Sequence, residues 1–251
     1  MKKENKKNGT IFAVALLLLL WQGAALLVGQ KVLLASPVSV IRRLPALIME
    51  KEFAGAILFS SVRIAGGFFA GFFTALLLSV LAGRFPAVET LLSPLMVTIR
   101  SVPVASFIII ALIWLSSSSL SVFISFLMVL PVIYTNCLSG IRNIDGKMLE
   151  MAKIFRFSFG KKLKYIWLPS MKSYIVSSVK TALGLSWKAG IAAEVIGIPE
   201  GSIGERLYEA KVYLATEDLF AWTVLIVLIS VLFEKAVLWL IGWFYRKLEN
   251  E

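Results

Sequence analysis

Long uninterrupted apolar runs, separated by short polar segments, set the pattern of this chain. A bilayer core of about 30 Å takes about 20 mostly apolar helical residues. Six stretches are of that kind, at 11–29, 57–82, 95–115, 120–140, 173–197 and 219–245. Only the serines at 116–119 part the third from the fourth, which predicts a tight helical hairpin. The first stretch follows MKKENKKNGT, a basic start like that of a signal peptide. Its apolar run exceeds the roughly 7–15 residues of a signal core and no small-x-small cleavage site lies at a natural distance, so an uncleaved first span is expected. The pattern predicts an all-α integral membrane protein of about six transmembrane helices.

The polar segments then orient those helices. With six spans, one set of loops holds Lys2, Lys3, Lys6, Lys7, Arg84, Arg100, the basic residues of 141–172, Arg246 and Lys247. The opposite set holds Lys31, Arg42, Arg43, Lys51, Arg206 and Lys211, making sixteen basic residues against six. Basic loops stay cytoplasmic, so both termini and the 141–172 segment are expected inside. The lipid bilayer accounts for the net charge of +11, and no nucleic-acid partner is expected.

Within the basic loop lies EMAKIFRFSFGKKLKYIWLP, at 150–169. Asp145 suits the cap of a helix starting near Gly146. Met148, Met151, Ala152 and Phe155 fall at i, i+3, i+4 and i+7, one apolar face. Ser158 suits the cap of a second short helix, in which Phe159, Leu163 and Ile166 repeat the pattern while Lys161, Lys162 and Lys164 stay wet. Pro169 is expected to hold Leu168 extended and to start the next helix. By spacing alone, two amphipathic helices lying on lipid headgroups fit this segment.

Composition narrows the chemistry. The chain has 251 residues, 59% hydrophobic and 16% charged, with no His and one Cys, Cys137. Disulfide frameworks, His-based zinc sites and His-dependent catalysis are excluded, and no cofactor is expected. No G-x-x-x-x-G-K-[ST] occurs, so any ATP hydrolysis belongs to another chain.

Charges inside spans are expensive and mark function by default. Ser173, Ser177, Lys180, Gly184 and Lys188 share one narrow stripe of the fifth span. It reads either as the wall of a translocation path, with Lys188 meeting an anion, or as polar groups satisfied by a neighbouring helix or a second copy. Arg63 is expected to snorkel to the outer interface, and Gly66, Gly67 and Gly71 to serve packing. Glu194 and Glu234 suit structural ion pairs, with a proton relay as the other reading. Residues 36–52 read as an outer interfacial helix. The acidic stretch 198–218 reads as a binding-protein dock or a solvated cap.

The 150–169 segment resembles the Glu-Ala-Ala loop of ABC importer permeases, E-A-A-x3-G-x9-I-x-L-P. Glu150, Ala152, Ile166, Leu168 and Pro169 match it, while Met151 replaces the first Ala and Arg156 the Gly that supplies a bend. Two further segments resemble the nitrate/sulfonate/taurine-type permeases. One carries Pro94, Arg100, Pro103 and Ala105; the other, SWKAGIAAEVIG, carries Trp187, Ala192, Ala193 and Glu194. The Trp-Phe-Gly usual after the third span is Trp114, Leu115 and serines here. The resemblance covers roughly 55–245.

It implies a type I ABC importer permease architecture: an N-terminal helix and outer segment over 1–55, a permease domain over 56–245 with its coupling loop at 141–170, and a cytoplasmic tail at 246–251. It implies a homodimer on two cytoplasmic ATPase subunits, fed by an extracytoplasmic binding protein. Glu150, Met151, Ala152, Phe155, Arg156, Leu168 and Pro169 would couple to the ATPase. Ser177, Lys180, Gly184, Lys188 and Glu194 would lie along the path of a small anion, such as a sulfonate, nitrate or taurine, or of a vitamin precursor. The alternative is a secondary transporter or channel without an ATPase. An intramembrane enzyme comes third, because no catalytic constellation is present.

Overall fold

Helix makes up most of each of the six apolar stretches, and no strand occurs among the described residues. A computed structural model describes residues 2–30 and 32–250. Lys31 and the side chains of Lys2, Lys3, Lys6 and Lys7, used above to orient the chain, lie outside the described residues. The helices are α1 (Lys2–Val28), α2 (Pro37–Ile48), α3 (Phe53–Arg84), α4 (Pro86–Ser101), α5 (Val104–Ala111), α6 (Ser117–Arg142), α7 (Gly146–Ile154), α8 (Phe159–Lys162), α9 (Leu168–Gly197), α10 (Ile203–Val212) and α11 (Thr216–Asn250). The stretch expected as a tail after 245 continues α11.

Helices α3, α6 and α11 are long and apolar enough to cross a bilayer, and α4 with α5 makes a fourth segment. The apolar part of α1 is shorter, Phe12–Val28. α9 has the length, at 30 residues and about 1.5 Å of rise for each, but carries too many polar groups to pass as a lipid-facing helix. It is tolerated because one face is sealed inside: Val179, Ala182, Leu183 and Trp187 are buried.

The third stretch is not the single helix expected over 95–115. It breaks at Val102–Pro103, and α4 and α5 are bent by 102°. Proline has no N–H and forces the residue before it out of the helical region; Val102 sits at φ −79°, ψ 133°.

α3, α6 and α9 form the centre, around Phe68, Ala75, Ile133, Tyr134, Val179 and Leu183. Close approach of α3 to α6 depends on Gly67 and Gly71. A Cβ on Gly67 would lie 2.3 Å from the Val122 carbonyl oxygen, and one on Gly71 2.9 Å from that of Phe126. Gly66 has open space instead, so it is not the packing glycine expected. Arg63 reaches the serine turn that joins α5 to α6. Its Nε donates to the Ser118 carbonyl at 2.7 Å and its guanidinium lies 3.5 Å from the centre of the Phe59 ring, which uses its charge on the serine turn.

The two ends of the bundle carry separate ion pairs. At one end Arg142 pairs with Glu89, beside the 143–167 loop. At the other, Arg43 binds Asp218 and, at 2.7 Å, Glu50. Arg206 binds Glu52 and, at 3.0 Å, Glu209. The hydrogen bonds that Arg43 donates to Asp218 hold its guanidinium above its ordinary pKa. These pairs tie α2, α10 and α11 together, and they leave the 198–218 acidic face less free than its composition implied. Glu209 and Asp218 are paired, and Glu205 accepts from the Gly201 N–H at 2.7 Å.

Candidate functional site

α7 begins where its cap residue dictates: the Asp145 carboxylate accepts the Lys147 N–H at 2.9 Å. It ends in two crossed bonds, Phe157 N–H to the Ala152 carbonyl at 2.8 Å and Arg156 N–H to that of Lys153 at 3.1 Å. That pairing satisfies the last carbonyls of a helix and puts its central residue in the left-handed region. Arg156 is there, at φ +50°. A side chain with a Cβ pays about 1–2 kcal/mol for that conformation, so the bend expected of a Gly is kept at some expense.

The four positions expected to share one apolar face divide. Ala152 is fully buried against Ile144 and Ile166, flanked by Phe157 and Trp167. A larger side chain there would lift α7 off the bundle. Met148, Met151 and Phe155 are 47%, 42% and 69% exposed, and Glu150 is exposed beside them. The outward side of α7 is thus a small apolar surface with a carboxylate at its edge, and Ala152 is its seat rather than part of it.

Ser158 precedes α8, but its hydroxyl makes no cap bond; of the three apolar positions that follow, Ile166 alone is buried. Leu168 is helical rather than extended, at φ −61°, ψ −47°. Its N–H reaches back to the Leu163 carbonyl across a π-helical turn, Leu163–Trp167. In a regular helix the ring of Pro169 would meet the carbonyl four residues earlier; the wider π turn relieves that crowding. The helical path therefore runs unbroken from α8 into α9, and the bend at 155–158 is all that separates α7 from this stiff element.

Along α9, Ser173, Ser177, Lys180, Gly184 and Lys188 are all exposed, while Val179, Leu183, Ser186, Trp187 and Gly190 are buried behind them. Sequence spacing placed this stripe correctly. Glu194 does not belong with it. It is fully buried, accepting from the Ser60 hydroxyl at 2.6 Å and from the Gly204 N–H at 3.4 Å. Ser60 Oγ in turn accepts the Ile203 N–H at 2.9 Å. The carboxylate's hydrogen bonds come from a hydroxyl and a peptide group, and the Arg63 charge acts on it without a direct ion pair. It joins α3, α9 and α10 at the end away from the 143–167 loop. Ser60, one of the serines of SSVR inside an apolar run, was the missed member of this cluster; its signal was a small polar residue in a span.

Residues 67–250 match the family model described as binding-protein-dependent transport system inner membrane component. The putative aliphatic sulfonates transport permease protein SsuC of Bacillus subtilis is 26% identical, over 89% of this chain and 81% of its own. The bicarbonate transport system permease protein CmpB of Synechococcus elongatus is 27% identical, over 75% and 68%. A crystal structure of an amino acid ABC transporter with histidines superposes with a TM-score of 0.58 at 15% identity, covering 84% of this chain and 97% of that one.

Proposed function

Because this chain belongs to the family of binding-protein-dependent transport system inner membrane components, we propose that two copies pair and pass a small anion inward between their α9 polar faces. As a permease of this family it is a multi-pass inner-membrane protein that works with a binding protein, and ATP hydrolysis lies in a separate subunit.

The observation that carries the proposal is the exposed stripe of α9. Two lysines and two serines on a membrane-embedded surface are costly against lipid, and small residues such as Gly184 favour close approach of helices. A second copy and a water-lined path between the two remove that cost. Lys180 and Lys188 give the path a positive field, which suits an anion. The relatives are named for aliphatic sulfonates and for bicarbonate, both small anions.

Charge sorting supports a cytoplasmic placement of both termini and of the 143–167 loop. There the exposed face of α7 docks in a groove of the ATPase. Met148, Met151 and Phe155 supply apolar contact, and Glu150 accepts charge-assisted hydrogen bonds from a basic partner. Ala152, Arg156, Leu168 and Pro169 hold the geometry: seat, bend and lever. ATP-driven closure of the ATPase pair then moves α7, and the continuous helix carries that motion to the α9 stripe.

Thiol accessibility tests the path without knowledge of the cargo. In a Cys137→Ser background, Lys188→Cys in membranes should react with a membrane-impermeant thiol reagent, while Leu77→Cys should stay unreactive. Leu77 is 61% exposed, on α3 rather than α9. Equal protection of the two positions would place the stripe in lipid or in a dry contact, and would end the proposal.

A further inference from the structure

Between α3, α9 and α11 runs an apolar cavity of about 400 Å³, lined by Phe68, Phe72, Leu76, Ile175, Val179 and Ile241 among others. Its outer rim is made of exposed Phe69, Phe73, Leu240 and Phe244, side chains suited to hydrocarbon. At the end nearest the 143–167 loop it meets a second cavity of about 250 Å³, lined by Lys164, Tyr165, Pro169 and Leu248. Leu168 and Tyr245 line both. The Lys164 ammonium lies 5.5 Å from the centre of the Tyr165 ring, and that of Lys172 5.3 Å from that of Tyr245. Tyr245 is only 4% exposed, yet its hydroxyl has no hydrogen-bond partner. Buried hydroxyls usually have one.

We infer that this composite groove binds one anionic phospholipid of the inner leaflet, its acyl chain in the phenylalanine-lined cavity and its phosphate against Lys164 and Tyr245. Each half fits the two-part chemistry of such a molecule. Apart from Tyr245 at its end, the long cavity is lined by apolar side chains and suits no soluble polar ligand, and a zwitterionic lipid brings no net charge for the lysine. Basic pockets between helices at the cytoplasmic surface are where anionic headgroups bind. The inference rests on the proposed cytoplasmic placement of the loop. Because Lys164 and Leu168 belong to the segment that joins α7 to α9, a lipid seated there braces the lever at its base.

Native mass spectrometry of the full chain, purified in detergent, is the direct test, with phosphatidylglycerol and phosphatidylcholine of the same acyl chains as probes. Phosphatidylglycerol should be retained about fivefold more than phosphatidylcholine, the preference one nearby lysine gives. Lys164→Glu should abolish that preference, and Tyr245→Phe, which keeps the ring, should lower phosphatidylglycerol retention about threefold. Lys211→Glu, on α10 at the other end, should change nothing. Equal retention of both lipids, an unchanged ratio in Lys164→Glu, or a groove filled by a helix of a second copy with no lipid retained would each overturn the inference. Labelling of Lys161→Cys from the cytoplasmic side tests the orientation separately, so failure there is told apart from failure of the lipid site.

Discussion

Replacing Gly67 by Leu is expected to prevent assembly of the helical core. The Cβ alone would sit 2.3 Å from the Val122 carbonyl oxygen and 2.8 Å from Ser125 Cβ. The first of these is backbone and cannot turn aside. α3 would have to withdraw from α6, opening the cluster around Phe68 and Val129. Overpacking of a filled interior costs about 1–3 kcal/mol, occasionally more, and Leu adds three further carbons to the clash. Alanine at 67 gives the graded version: it gains roughly 0.5–1 kcal/mol in helix propensity and loses more through the contact. The control is next door. Gly66 faces open space, so Gly66→Ala should hold or slightly raise stability. Thermal unfolding and size-exclusion profiles in detergent should show Gly67→Leu aggregated, Gly67→Ala lowered by several degrees, and Gly66→Ala unchanged or raised. Equal behaviour of the two alanine variants would mean that α3 and α6 are not packed through Gly67.

The second large effect concerns α7. Met151→Asp combined with Phe155→Asp should cut co-purification of the ATPase subunit at least about tenfold. On the proposed docking, two carboxylates would be desolvated without partners where the wild type offers apolar groups. Glu150→Arg should weaken the same association by reversing the charge at its edge. Neither change touches the bundle, because Met151, Phe155 and Glu150 are all exposed; membrane insertion and the unfolding temperature should hold. Ala152→Leu is the instructive contrast. It leaves the outward face intact but fills the seat on Ile144 and Ile166, so it should lower both the association and the stability of the loop. An ATPase that still co-purifies at wild-type yield with the double aspartate variant would show that this face is not the dock.

The chain's own letters told much of this, and the misses have physical causes. Helix positions followed from apolar length. The start of α7 followed from Asp145, because a cap is a local device. The division of its apolar face did not, since Ala152 lies at one margin of that arc and its partners Ile144 and Ile166 come from segments before and after the helix. Pro103 stands in a motif whose spacing carries no backbone angle, so the bend it imposes at Val102 between α4 and α5 is not legible there. Pro169 misled in the opposite direction: a proline normally marks a boundary, and only the extra residue of the π turn lets the helix pass through it. Glu194 was expected along the path, or in an ion pair, by its place in the span. Its hydrogen bonds to Ser60 and Gly204 join helices that sequence spacing cannot bring together. The lysines of α9 do share one exposed face, because period alone fixes which residues lie together.

Reconstitution decides whether this permease is driven as its family implies. Proteoliposomes should hold the chain, its ATPase subunits and its binding protein loaded with the anion that saturates it. Uptake should require ATP on the side of the 143–167 loop, fall with Met151→Asp/Phe155→Asp, and be absent when a proton or sodium gradient is the only energy source. Uptake of the anion by the chain alone on such a gradient, with no ATPase present, would contradict it.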